Sequence, residues 1–110
     1  MKMPKPTEAD KQLFRSLVPE GARIRPMFGQ LAGFINGNMF LCLFGDRIAV
    51  RLDPAQRSEL LRENGAEPFV PMEGRPMKEY VVVPKDWSAE RTEGWVDRAL
   101  QFAAGLPPKK

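Results

Sequence analysis

The chain contains no histidine. That absence removes every histidine-dependent catalytic triad, imidazole-ligated metals and the commonest general base. A single cysteine, Cys42, rules out an intrachain disulfide and, without histidine, a zinc site built from Cys and His. Flanked by Leu41 and Leu43, it reads as a small buried hydrophobe rather than a reactive thiol. No apolar run approaches the roughly 20 residues needed to span a bilayer. The opening Met1-Lys2-Met3-Pro4-Lys5-Pro6-Thr7 carries no apolar segment of the secretory kind. A cytoplasmic location is the expectation. Gly29, Gly33, Gly37 and Gly45 have strand and turn spacing rather than the G-x-G-x-x-G of a phosphate loop. Ser16, Ser58 and Ser88 have no histidine to activate them, and the carboxylates fall at turns and helix caps. The expectation is a protein that is not an enzyme and holds no cofactor or metal.

With 110 residues there is enough chain for one domain and one core. An apolar content of 43% is ordinary for a globular fold. The isoelectric point of about 9.3 looks basic. Yet four of the 17 basic residues (Lys2, Lys5, Lys109 and Lys110) lie in the tails, leaving 13 against 14 acidic residues in the body. A nucleic-acid binder concentrates positive charge on its folded surface. That reading is therefore the runner-up.

Residues 27–52 organise the rest. Asn36-Gly37-Asn38 and Gly45-Asp46 are hairpin turns that tolerate positive φ, and they separate apolar runs into an antiparallel meander. Strands are expected over 22–28, 31–35, 39–44 and 47–52, with Pro26 marking the first as an edge strand or as a strand that ends there. The third is apolar on both faces, with Met39, Leu41 and Leu43 on one side and Phe40, Cys42 and Phe44 on the other. Its second face is therefore expected to be covered, by another element or another subunit. The fourth alternates, with Ile48, Val50 and Leu52 inward and Arg47 and Arg51 outward.

Thr7 caps a first helix that Pro19 stops. Asp53-Pro54, with Gln56 at the capping-box position, starts a second helix anchored by Leu60 and Leu61, and Asn64-Gly65 ends it. Residues 66–77 read as an ordered loop with a short edge pairing near Phe69, anchored by Phe69 and Val70, and 78–83 form a fifth strand. Ser88 or Asp86 caps the last helix, in which Trp95, Val96, Ala99, Phe102, Ala103 and Leu106 keep helical spacing. The order is α-β-β-β-β-α-β-α. This is an α+β fold with two layers: a five-stranded, mainly antiparallel sheet and three helices on one face. Residues 1–110 form a single domain with flexible tails at 1–6 and 107–110.

The ordered set Arg25-Pro26-Met27-Phe28-Gly29, Phe34 to Phe40, Arg47 to Leu52, Gly65 to Phe69, Gly74 to Tyr80 and the Trp95 helix resembles the TfoX/Sxy N-terminal domain family of bacterial proteins. The resemblance spans nearly the whole chain. It implies a compact domain similar to the secretion-chaperone-like folds, which often dimerise, and a relation to regulators of natural competence. The named members carry a second, helical C-terminal domain, whereas this sequence stops at Lys110. The family brings no catalytic residues to carry over.

Three surface readings follow. Arg23, Arg25, Arg47 and Arg51 are expected to flank Phe40, Cys42 and Phe44 on the outer sheet face, which suits a protein interface and a homodimer first of all. The same arginines with the phenylalanines are the elements of a single-strand nucleic-acid surface. The repeated Arg-Pro-Met at 25–27 and 75–77 suggests a small-anion site formed by Arg25, Arg75, Lys78 and Tyr80.

Overall fold

In the computed structural model, which describes residues 5–27, 30–71, 74 and 76–109, local chemistry starts each helix where side chains satisfy backbone donors. The Thr7 hydroxyl accepts from the Asp10 amide at 3.1 Å, and the Asp10 carboxylate accepts from the Thr7 amide at 2.8 Å. This reciprocal pair opens α1 (Glu8–Leu17). Asp53 accepts from the Gln56 amide at 2.8 Å and opens α2 (Pro54–Leu61). Ser88, not Asp86, caps α3 (Ala89–Ala104) by accepting from the Arg91 amide.

The strands are β1 (Arg23–Met27), β2 (Gln30–Ile35), β3 (Asn38–Phe44), β4 (Arg47–Arg51), β5 (Glu67–Pro68) and β6 (Tyr80–Val82). They form one sheet in the order β1-β2-β3-β4-β6-β5, with every pairing antiparallel. The β2–β3 turn uses Asn36 at φ 52° and Gly37 at φ 80°, as a two-residue hairpin demands. β1 is an edge strand, in keeping with Pro26. The expected five strands become six because Glu67-Pro68 pairs with Val82 and Val81, a contact only two residues long.

The three helices share one face of the sheet. Phe14 and Leu17 from α1, Leu60 from α2, and Val96, Ala99 and Ala103 from α3 pack against Leu41, Leu43, Ile48, Val50, Leu52, Val81 and Val83. Leu61 does not anchor α2; it is 42% exposed. Val70 is likewise exposed, and Phe69 alone of that pair is buried.

One expectation fails for a physical reason. Phe40, assigned to the outer face as an interface residue, is fully buried on the helix side. Strict alternation breaks at a β-bulge. Gly33 pairs with Leu41 and Phe34 with Met39, so Phe40 is the extra residue. The bulge places both Phe40 and Leu41 in the helix-side core and moves Met39 to the outer face. The Asn38 side-chain amide donates to the Pro107 carbonyl at 3.1 Å, and the Lys109 amide donates to the Asn36 carbonyl at 2.8 Å. Residues 107–109 thus lie along the hairpin turn. No helix among the described residues is long and apolar enough to cross a membrane.

Candidate interaction site

The outer sheet face carries its own apolar cluster. Ala32, Cys42, Ala49, Phe69, Tyr80 and Val82 are buried there, with Phe34, Met39, Phe44 and Met77 half-buried around them. The second face of β3 is thus covered at Cys42 by this chain's own side chains. Burial pushes the Cys42 thiol up to about 12, which keeps it protonated and unreactive at neutral pH. Phe69 joins Phe44 and Tyr80 edge to face, with ring centroids 5.6 and 6.3 Å apart. Beside them lies an open groove of about 380 Å³, floored by Ala49 and Val82 and walled by Phe44, Phe69, Val70 and Arg47.

Two of the four expected arginines are already engaged. Arg51 donates Nε and Nη2 to the Glu79 carboxylate at 3.0 and 2.6 Å and Nη1 to the Met39 carbonyl at 3.4 Å, and lies over the Tyr80 ring. The Tyr80 hydroxyl donates to the same Met39 carbonyl at 2.9 Å. These two side chains therefore serve the polar backbone beside the bulge, where the ladder is interrupted. Burial raises the Tyr80 phenol to about 12. Arg47 reaches Glu67 at 3.2 Å and the carbonyls of Gly65 and Val83, tying β4 to the β5 edge. Arg23 and Arg25 are exposed on edge strand β1. Arg25 stacks over Phe34 at 5.4 Å and forms no ion pair among the described residues.

The anion-binding residues do not converge. Arg25 is on β1 and Tyr80 on β6, with three strands between them. At about 4.8 Å per strand that is roughly 19 Å along the sheet. Tyr80 spends its hydroxyl on Met39, and exposed Lys78 lies in the turn before β6. Arg75 falls outside the described residues. Of the interface residues, Cys42, Phe44, Arg47 and Arg51 belong to the outer face, as do Arg23 and Arg25 by register, while Phe40 does not. Among the described residues no group of His, Cys, Asp and Glu gathers in a metal-holding arrangement.

Glu67 and Met39 were not singled out in the sequence, and their roles depend on non-local facts. Met39 faces outward only because of the bulge, and Glu67 matters only because β5 closes the sheet edge. The apolar Phe69-Val70 pair, isolated in a proline-rich loop, was the available signal for this part of the surface.

A six-stranded antiparallel sheet, helices on one face and an aromatic, arginine-rimmed second face define a two-layer α+β domain. The family described as TfoX N-terminal domain matches residues 12–103. The chain belongs to that family and is a competence-regulator-related domain. A search of curated proteins finds no match.

Proposed function

We propose that this domain is a non-enzymatic, regulatory protein-interaction module whose outer sheet face docks a protein partner. The observation that carries the reading is the groove between Phe44, Phe69 and Val70. It is apolar at its floor, aromatic at its walls and rimmed by an arginine whose ion pair holds it in place. Aromatic and arginine side chains around an apolar centre are the composition of protein–protein contact surfaces. Val70, 48% exposed at the groove wall, is the natural first point of contact. A nucleic-acid role has less support, because Arg47 and Arg51 are committed to Glu67 and Glu79.

The test is a photoreactive residue at position 70, compared with one at position 61 on the exposed side of α2, each illuminated in the native cell. Discrete protein adducts at position 70 and none at 61 are expected. Equal adducts at both positions, or nucleic-acid adducts at position 70, would overturn the reading.

A further inference from the structure

One register line crosses the whole outer face. It runs Arg25, Ala32, Cys42, Ala49, Val82, Glu67, each residue directly opposite the next. Directly opposed residues in antiparallel strands share a face. The line therefore starts with a cation at one sheet edge, ends with an anion at the other, and is small or apolar between. Arg25 is exposed and forms no ion pair among the described residues. Glu67 is 59% exposed and meets Arg47 through Oε1, so its carboxylate has room for a second cation.

We infer that the partner docking on this face is a second copy of this chain, related by a two-fold axis that runs parallel to the strands between β3 and β4. The inference rests on the reading of this face as a protein-docking surface. Two sheets facing each other across such an axis have inverted strand order, so β1 of one copy lies over β5 of the other. Arg25 then meets the partner's Glu67, and Glu67 meets the partner's Arg25. On the neighbouring line Phe34 meets the partner's Tyr80, an aromatic pair. The patch is complementary to itself, as an isologous interface requires. The other face-to-face two-fold axis, across the strands, sets Arg25 against the partner's Arg25 and is disfavoured by like charge. Facing sheets usually pack about 10 Å apart with strands inclined by about 30°; the long Arg and Glu side chains accommodate that offset at the edges.

The experiment is sedimentation velocity of the full chain, with circular dichroism confirming the fold of each variant. Wild-type protein should show the dimer mass at high micromolar concentration and dissociate on dilution. Arg25→Glu and Glu67→Arg should each weaken self-association by about tenfold or more. Mixing the two single variants should restore the dimer mass, because both cross-copy pairs then join a glutamate to an arginine. A wild-type chain that stays monomeric throughout, or a mixture no more associated than either variant alone, would overturn the inference. In that event adducts to a different protein at position 70 would still support the docking reading, so the two failures are distinguishable.

Discussion

At the scale of single residues, two glycines of the β2–β3 hairpin have opposite demands. A Cβ on Gly37 would lie 1.9 Å from the Lys109 carbonyl oxygen, and its φ is 80°. Gly37→Ala should therefore destabilise the fold by roughly 2 kcal/mol or more and release residues 107–109. A Cβ on Gly33 would meet Leu41 and Phe40 at 3.5 Å, an ordinary contact, so Gly33→Ala should shift stability by less than about 1 kcal/mol. Urea unfolding of the two variants checks the contrast. Burial of Cys42 and Tyr80 sets the alkaline behaviour. Both groups have raised pKa values when folded, so the folded state holds protons that the unfolded chain releases. Their contribution is complete below the unfolded values near 9 and 10 and is lost as pH climbs toward about 12. The melting temperature should fall through that window. Cys42→Ala should flatten the lower part of the fall; an unchanged profile would mean that the thiol is not buried as described.

At the scale of elements, the caps and the bulge decide most. Thr7→Ala removes one half of a reciprocal cap and should cost about 1 kcal/mol, read by thermal unfolding. Phe40→Ala should cost roughly 3–5 kcal/mol, the penalty of emptying a filled core position; a surface-like effect would contradict the bulge. These cases also show what was legible beforehand. Thr7, Asp53 and Ser88 carry their capping chemistry locally, so the three helices could be read from short windows. Asn36-Gly37 likewise announces its turn. The alternation of Arg47 to Leu52 correctly divided β4 between core and outer face. The bulge was not readable, because every residue of β3 from Met39 to Phe44 is apolar and alternation carries no phase there. The hydrogen bonds of residues 107 and 109 are not readable locally either, because their partners, the Asn38 amide and the Asn36 carbonyl, lie about seventy residues upstream. On the candidate site, the arginines were visible as a set, but the partners of Arg47 and Arg51 come from the β5 and β6 edge and appear only with the sheet assembled. Arg25 and Tyr80 look neighbourly in a list of polar residues, whereas the strand order holds them apart.

At the scale of the molecule, the sheet divides the chain into a helix-covered side that makes the core and an outer side that carries the aromatic cluster and the groove. The body is close to neutral in charge, and its outer arginines at positions 47 and 51 are neutralised by Glu67 and Glu79. Association through this face should accordingly depend only modestly on salt, unlike the steep dependence of phosphate-directed binding. Hydroxyl-radical footprinting tests the central claim most directly, comparing the chain inside its native cell with the isolated chain at high dilution. If the outer face docks a protein, Met39, Phe44, Val70 and Met77 become protected in the cell, while Leu13 and Leu61 on the helix side label equally in both settings. Equal labelling of the outer face in both settings, or protection confined to the helix side, would contradict the account.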